Sequence, residues 1–279
     1  MIHPTAIIHP QAQVDPSVNV EAYAIIDAHV VIGPRCQVGP QVHLTGHTTI
    51  GADNWFHTGA VIGDAPQDLK YHGEPTRLRI GDSNIFREHV TVHRSNSLLE
   101  DTVIGSHCFL MALSHVGHNV RLGNHVIVAN NALLGGHVVV DDRAFISANC
   151  MVHQFVRVGM LAMMQAGTAI SLDLPPFLTA HGVNMICGLN TVGLRRAGYS
   201  PEVRLELKRL YHALFRSTGT RLKRVADARP LYTSAPAQQL LDFVAATKRG
   251  LCADTKRARF EITARTHTGA TPSDDKTEG

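Results

Sequence analysis

Residues 110–134 read LMALSHVGHNVRLGNHVIVANNALL, which places a large apolar residue at every sixth position. The same phase runs in both directions along the chain and covers 26 hexads, with two interruptions. Self-similarity at a fixed short period is the sequence signature of a solenoid rather than of a conventional packed domain. The positions in phase are Ile2, Ile8, Val14, Val20, Ile26, Ile32, Val38, Leu44, Ile50, Phe56, Ile62, Ile80, Phe86, Val92, Ile104, Leu110, Val116, Leu122, Val128, Leu134, Val140, Ile146, Val152, Val158, Met164 and Ile170.

Each hexad also has an internal pattern. A small or β-branched residue usually stands four positions after the large one, which is two positions before the next large residue. Residues two apart on a strand point to the same side, so we expect both side chains to point inward. Cys36, Cys108 and Cys150 occupy that small position, which predicts buried, unreactive thiols. Glycine often follows the large residue, and we expect it there because it tolerates the conformation of a corner. Three hexads close an 18-residue coil, which predicts a parallel β-solenoid of about nine coils.

The two interruptions predict loops that leave the coil. They are expected over residues 63–79 and 93–103, where polar residues and prolines replace the hexad pattern. Loops carried on a rigid scaffold are frequent sites of function, so both are candidates to contribute to a site.

A different pattern follows the repeat. Ser200 is predicted to be a helix N-cap, with Pro201 at the first helical position. Further helices are expected over Thr220–Ala228 and from about Pro236 to Arg249, with Gly250 ending the last one. The predicted organisation is a β-helix over residues 1–187, a small α-helical domain over 188–252 and a flexible tail over 253–279.

Composition excludes several classes of protein. No run of about 18 apolar residues occurs, so we expect no membrane span, and the N-terminus does not resemble a signal peptide. The five cysteines form no C-x-x-C pair, which argues against a disulfide framework and favours a cytoplasmic location. Residues 188–279 carry 17 basic and 9 acidic residues, but they match no recognised nucleic-acid-binding module, and we expect no nucleic-acid partner.

The 18-residue coil brings four histidines to one edge. Val116, Leu134 and Val152 are 18 residues apart and must stack on one face of consecutive coils. His118, His137 and His153 follow them by one to three positions, and His115 precedes Val116. Three interpretations remain open from the residues alone: solvated corner side chains, a metal site, or a general base with substrate-orienting imidazoles. The spacing of His115 and His118 does not favour metal, so no metal or other cofactor is expected.

In its repeat, its histidines and several short motifs, the chain resembles the UDP-N-acetylglucosamine 3-O-acyltransferase family of hexapeptide-repeat enzymes. The resemblance covers about residues 1–215 and implies a left-handed parallel β-helix followed by a small helical part. The motifs that carry it are Gln67-Asp68-Leu69-Lys70-Tyr71 with Gly73 to Asp82, His115-x-x-His118, Gly135-Gly136-His137, Val152-His153-Gln154-Phe155, Pro175-Pro176 and Gly193-Leu194-Arg195-Arg196.

The resemblance implies a role for each matching residue. His118 resembles the general base, and the Gly136 N–H resembles the donor to the oxyanion. His115, His137, His153 and Gln154 resemble residues that bind the nucleotide sugar. Asp68 and Lys70 resemble loop residues that reach the substrate of the adjacent subunit, while Asn190 and Arg196 resemble contacts to the nucleotide or to the carrier arm. The partners implied are UDP-N-acetylglucosamine, an acyl carrier protein with a 3-hydroxyacyl chain, and two further copies in a homotrimer.

The chain departs from the family pattern directly after the base, where Asn119 stands in place of an aspartate, and again at Val192 and Ala197. An amide can orient an imidazole but cannot neutralise its charge. We therefore expect the chain to tolerate a 3-amino acceptor as well as a 3-hydroxyl one. An N-acyltransferase acting on the 3-amino sugar and a non-catalytic or metal-binding β-helix paralogue stay open as alternatives.

Overall fold

The computed structural model describes residues 1–255, and short parallel strands make up most of it. The repeat forms 25 strands, with the large apolar residue of each hexad at or near the strand end. They are β1 (Ile7–Ile8), β2 (Gln13–Val14), β3 (Asn19–Val20), β4 (Ile25–Ile26), β5 (Val31–Ile32), β6 (Gln37–Val38), β7 (His43–Leu44), β8 (His47–Ile50), β9 (Trp55–Phe56), β10 (Val61–Asp64), β11 (Arg77–Ile80), β12 (Ile85–Phe86), β13 (Thr91–His93), β14 (Thr102–Ile104), β15 (Phe109–Leu110), β16 (His115–Val116), β17 (Arg121–Leu122), β18 (Ile127–Val128), β19 (Leu133–Leu134), β20 (Val139–Val140), β21 (Phe145–Ile146), β22 (Met151–Val152), β23 (Arg157–Val158), β24 (Met163–Met164) and β25 (Ala169–Ile170).

Every third strand pairs in parallel, so the strands stack into the three faces of a prism. Face 1 runs from β1 through β4 and β7 to β25, face 2 from β2 to β23, and face 3 from β3 to β24 and beyond. The register is 18 residues wherever no loop intervenes, as in the pairs Val116 with Leu134 and Leu134 with Val152. The predicted coil is therefore confirmed.

The core is the interior of this prism. Its large residues are buried almost completely, and Cys36, Cys108 and Cys150 are at most 1% exposed. The small inward position predicted for these thiols is confirmed. Burial raises the pKa of Cys108 to about 11, so its thiol stays protonated at neutral pH.

The glycines that follow the large residues serve a different purpose from the one expected. Gly33 and Gly105 do not adopt a positive φ, but a Cβ on Gly33 would lie 2.8 Å from the backbone of Gly51 in the next coil. The left-handed conformation falls two residues later, on side chains such as Arg35 and His107. At Gly33 and Gly105, glycine is therefore required by the close approach of successive coils rather than by the corner itself, whereas Gly63 does adopt a positive φ, of 88°.

The two expected loops are present but shorter than predicted. Strands β10 and β11 take residues from both ends of the first loop, which spans 65–76, and the second spans 94–101. Arg94 joins them by donating to the Gly63 carbonyl at 2.9 Å and to the Tyr71 hydroxyl at 2.9 Å.

The last coil is closed by an antiparallel hairpin and helices. The hairpin consists of β26 (Leu178–His181) and β27 (Met185–Leu189), so a strand crosses the expected boundary at residue 187. The helices are α1 (Thr191–Arg196), α2 (Pro201–Phe215), α3 (Arg221–Ala228) and α4 (Ala235–Ala245). Ser200 caps α2 as predicted, because its side chain accepts from the Val203 N–H. None of the helices in this part of the chain is long and apolar enough to cross a membrane.

Two observations correct the expected C-terminal elements. Helix α4 ends at Ala245 rather than Arg249, because the chain turns there, with the one hydroxyl proton of Thr247 shared between the Asp173 carboxylate and the Gly250 carbonyl. The expected tail begins with a short strand, β28 (Ala253–Asp254), which pairs with β27. Asp254 is buried and accepts hydrogen bonds from Tyr211 and Arg216. The rest of the expected tail, residues 256–279, lies outside the described residues.

Candidate active site

The predicted histidine edge lies at the corner between faces 1 and 2. His118 follows β16 and His137 occupies the same corner one coil later. Their rings meet edge to face with centroids 5.2 Å apart, and His137 stacks on Phe155 of the following coil at 4.6 Å. Burial, followed by the charge of His118, lowers the pKa of His137. The coil thus aligns these rings in one column, as the 18-residue spacing predicts.

The two nitrogens of the His118 ring have different surroundings: Nδ1 lies against the side chain of Asn119, and Nε2 faces Gly136. Nδ1 lies 2.9 Å from the side-chain oxygen of Asn119. A Cβ on Gly136 would lie only 2.6 Å from His118 Nε2, so any larger residue at this position would collide with the imidazole. Within residues 1–255, the Gly136 N–H has no hydrogen-bond partner. A free ring nitrogen beside a free backbone donor is suited to proton transfer next to a developing oxyanion.

A fifth histidine, His93, belongs to this cluster and is missed by the sequence analysis. It is 6% exposed, and its ring meets His115 edge to face at 5.0 Å. Its Nδ1 has no hydrogen-bond partner in the described part of the chain. The second loop interrupts the 18-residue register between it and His115, which hides the alignment. Its position directly after Val92, equivalent to that of His153 after Val152, is the signal that could have found it.

His115 is neutral at physiological pH. Burial, followed by the charges of His93 and His118, lowers its pKa to about 4. Its Nδ1 lies 2.8 Å from the Thr91 hydroxyl in the preceding coil. A neutral imidazole with a fixed ring can orient a polar substrate group without repelling a cation.

The first loop brings Asp68 to the same site. Its carboxylate accepts from the Asn96 side chain at 2.6 Å and from the Lys70 N–H at 3.0 Å. These hydrogen bonds, that of Lys70 first, lower the pKa of Asp68, with a smaller contribution from the charge of His118. Lys70 itself is exposed. Asp68 therefore lies near His118 of its own chain, whereas the resemblance implied that it reaches the substrate of the adjacent subunit.

His153 and Gln154 lie further along the edge and are exposed to solvent. Arg249, beyond the end of α4, approaches His153 Nδ1 at 3.4 Å and donates to the Ser171 carbonyl at 3.2 Å. Sequence reasoning missed this arginine because 96 residues separate it from His153, and no periodicity connects them.

An apolar groove of about 410 Å³ begins beside this edge and follows face 1. Its walls include Leu133, Met151, Ala169 and Val183, with His115 and His153 at its polar margin. A groove of this kind accommodates a hydrocarbon chain.

Asn190 and Arg196 are not brought to this edge. Asn190 caps α1, accepting from the Gly193 N–H and donating to the Leu161 carbonyl at 2.9 Å each. Leu161 lies at the corner between faces 2 and 3, whereas His118 lies between faces 1 and 2. Both ends of the Asn190 amide are therefore engaged, and Arg196 is exposed on the same helix.

Residues 1–255 hold no cluster of three or more histidine, cysteine, aspartate or glutamate side chains that could bind a metal ion. The groups that this edge offers for chemistry are imidazoles, amides and a backbone N–H. Stacked hexapeptide coils with a histidine edge and an adjacent apolar groove define a hexapeptide-repeat acyltransferase.

Comparisons with known proteins identify the family. Residues 173–252 match a family model described as UDP-N-acetylglucosamine O-acyltransferase, domain 2, and residues 101–136 match bacterial transferase hexapeptide repeats. An acyl-[acyl-carrier-protein]–UDP-N-acetylglucosamine O-acyltransferase from Gloeothece citriformis is 48% identical over 245 residues, covering 87% of this chain and 88% of that protein. A relative of the same name from Halorhodospira halophila is 44% identical over 210 residues, covering 74% and 81%. The chain belongs to the UDP-N-acetylglucosamine O-acyltransferase family.

Solved structures agree with this assignment. The UDP-N-acetylglucosamine acyltransferase of Francisella novicida has a TM-score of 0.88 at 30% identity, covering 92% of this chain and 96% of that one. The Campylobacter jejuni enzyme has a TM-score of 0.86 at 33% identity, covering 91% and 99%. The predicted left-handed parallel β-helix with a small helical part is confirmed. The relatives named here are O-acyltransferases, which favours a hydroxyl acceptor over the 3-amino alternative.

Proposed function

We propose that this chain transfers a 3-hydroxyacyl group from acyl carrier protein to the 3-hydroxyl of UDP-N-acetylglucosamine. The observation that carries the proposal is the position of His118, whose ring lies against Gly136, beside a backbone N–H that has no partner among residues 1–255. The names of the family's members supply the two substrates. The apolar groove along face 1 supplies a place for the acyl chain.

In this mechanism, His118 Nε2 takes the proton of the 3-hydroxyl while the sugar oxygen attacks the thioester carbonyl carbon. A new C–O bond forms and the carbonyl oxygen becomes negative, facing the Gly136 N–H. Removing one such donor commonly costs about 3 kcal/mol of transition-state stabilisation. Collapse of the intermediate breaks the C–S bond, and the proton on His118 passes to the departing thiolate. No covalent acyl-enzyme is required.

The remaining predicted site residues are assigned to binding. His115, His137, His153 and Gln154 would line the sugar and nucleotide, with Asp68 and Lys70 approaching from the first loop. Arg249 extends this set, because its guanidinium lies against His153 at the margin of the groove.

We further propose a homotrimer with the active site between subunits. Asn190 and Arg196 lie at a different corner from His118 within one chain, so their predicted contacts would be made in the site of a neighbouring copy. Apolar side chains on face 1, such as Met151 and Leu133, are exposed in one chain and would be buried by a neighbouring copy. Light scattering at micromolar concentration tests this, with three chains expected and a single-chain mass contradicting it.

The activity is tested by incubating the protein with UDP-N-acetylglucosamine and a mixture of acyl carrier proteins that bear different hydroxyacyl chains. The mass of the product is then measured by mass spectrometry. An ester adduct of one preferred chain length is expected. A parallel reaction with the 3-amino sugar distinguishes ester from amide formation. Unchanged substrate in both reactions would refute the proposal.

A further inference from the structure

Asn119 has an amide whose orientation is decided by two neighbours on the second loop. Its side-chain oxygen accepts from the backbone N–H of Asn96 at 3.0 Å, and its side-chain nitrogen donates to the Ser95 hydroxyl at 2.8 Å. A backbone N–H can only donate, so the atom that faces Asn96 must be the oxygen. Asn119 is 4% exposed and Ser95 is fully buried, so water does not replace these partners.

The Ser95 hydroxyl enforces the same orientation from the other side. It donates its only proton to the Ser97 carbonyl at 3.0 Å and accepts from the Ser97 N–H at 2.9 Å. Its remaining capacity is therefore that of an acceptor, which matches the Asn119 NH₂ and excludes the Asn119 oxygen. Flipping the amide would place donor against donor at Asn96.

A fixed amide in turn fixes the imidazole. The oxygen that accepts from Asn96 also lies 2.9 Å from His118 Nδ1. An oxygen can only accept, so Nδ1 must carry the ring proton, which leaves the lone pair of the neutral ring on Nε2. Nε2 is the nitrogen that faces Gly136.

We propose that Ser95 and the Asn96 N–H, acting through Asn119, are positioning groups that hold His118 as the Nδ1–H tautomer and thereby keep Nε2 free as the base. The catalytic role of these groups rests on the proposed function, whereas the assignment of the His118 tautomer does not. The second loop thus contributes to catalysis without touching the substrate.

Asn96 has two separable roles. Its backbone N–H orients Asn119, while its side-chain NH₂ donates to Asp68 at 2.6 Å. The first loop is therefore attached to the residue that orients the base. Asn96→Ala removes the link to Asp68 but keeps the backbone donor.

The experiment observes the tautomer directly, by ¹⁵N NMR of histidine-labelled protein at pH 8, with His118→Gln used to assign the signal. The parent protein is expected to show Nδ1–H at residue 118. Asn119→Asp and Asn96→Ala should keep that tautomer, because both retain an oxygen acceptor facing Nδ1 and the Asn96 N–H. An Nε2–H ring in the parent would overturn the proposal.

Asn119→Gly should mix the two tautomers and lower kcat by about 10- to 100-fold, the range for loss of catalytic alignment. Glycine suits this site because Asn119 has a φ of 58°. Asn131→Gly, at an exposed corner with a φ of 56°, is the matched control and should leave kcat unchanged. An unmixed tautomer with unchanged kcat in Asn119→Gly would also overturn the proposal.

Ser95→Ala removes only the acceptor for the amide, so a smaller fall in kcat with an unchanged KM is expected. Its control is Ser114→Ala, because the Ser114 hydroxyl is also buried but finds no hydrogen-bond partner among the residues that the structure describes. Equal kcat values for these two variants would remove Ser95 from the proposal.

A pH profile gives a further readout. The titratable groups whose charges interact with His118 are Asp68, His93, His115 and His137, and Glu100 lies 3.9 Å from His137 Nδ1. Asn119→Asp adds a carboxylate against Nδ1 and should move the acidic limb of the kcat/KM profile up by about one to two pH units. An unmoved limb would mean that residue 119 does not act on the base. If the NMR result holds but no acyl transfer occurs, the proposed function fails and the tautomer assignment stands.

Discussion

His118 is the residue on which the proposed mechanism depends most directly. His118→Ala removes the proton acceptor but no core contact, so kcat should fall by at least about 100-fold while the fold is retained. His125→Ala is the control, because His125 is an exposed corner histidine that stacks on His107 at 4.8 Å, away from the site. Steady-state kinetics and circular dichroism of the two variants decide this. Near-parental turnover in His118→Ala would refute its assignment as the base.

His115 makes stability depend on pH through its low pKa. In the unfolded chain its imidazole takes up a proton near its ordinary pKa of 6.5, but in the fold only near 4. Between these values the unfolded chain binds more protons than the folded one. The free energy of unfolding is therefore highest, with respect to His115, above pH 6.5 and falls as the pH drops towards 4. Burial lowers the pKa of His93 and His137 in the same direction and raises that of Asp141, which acts in the opposite sense.

Urea unfolding at pH 7 and pH 5 measures this effect. His115→Gln should reduce the loss of stability between the two pH values by about 1–2 kcal/mol, the size expected for one histidine with this shift. His125→Gln serves as the exposed control. A pH dependence in His115→Gln that equals the parent's would show that His115 is not the responsible group.

At the scale of elements, the last coil and the helices are joined by one buried carboxylate. Asp173 is 1% exposed and accepts from the Arg157 backbone and guanidinium at 2.9–3.0 Å and from Thr247 at 2.8 Å. Arg157 also lies over the Phe243 ring of α4 at 4.2 Å. Removing one partner of such a pair leaves the other charge buried and unmatched.

Asp173→Ala should therefore lower the free energy of unfolding by about 3–5 kcal/mol. Asp242→Ala breaks the exposed pair with Arg229, where the carboxylate is 66% exposed, and should cost at most about 1 kcal/mol. Guanidinium unfolding followed by circular dichroism compares the two. Similar losses would show that Asp173 does not hold the helices to the last coil.

The elements that sequence predicted best are those specified by local pattern. The hexad phase defines nearly every strand because each large residue must point into a narrow prism, and Ser200 marks the start of α2 through its own hydrogen bond. The hairpin β26–β27 and strand β28 have no such period. Their pairing depends on contacts between residues far apart in sequence, as between Met185 and Ala253.

The same division holds within the candidate site. The 18-residue spacing predicts that His118 and His137 meet, because both lie in uninterrupted coils. It could not find His93, Ser95 or Asn96, which lie beside or within a loop whose return path the repeat does not specify. Asn119 stood out in the sequence as a departure from a family pattern, but its orientation depends on that loop.

At the scale of the whole molecule, charge is divided along the chain. Residues 1–187 hold 9 basic and 14 acidic residues, and residues 188–279 hold 17 and 9. Among the helices that close the last coil, Lys208, Arg209 and Lys223 are exposed. Acyl carrier proteins are strongly acidic, so this basic surface suits them as a docking face.

Docking of this kind should make the KM for the acyl carrier protein depend on salt while the KM for the sugar nucleotide changes less. The Debye length falls from about 10 Å at 0.1 M salt to about 3 Å at 1 M, which screens exposed charges at an interface. Lys208→Ala combined with Arg209→Ala should raise the carrier-protein KM several-fold at low salt and flatten its salt dependence, with kcat retained. Arg35→Ala, which also removes an exposed cation but near the N-terminal end of the β-helix, is the control. If the double variant and the Arg35→Ala control both show the parental salt dependence, the basic residues of the helices are only a solvent-exposed surface. The carrier protein must then dock on another face.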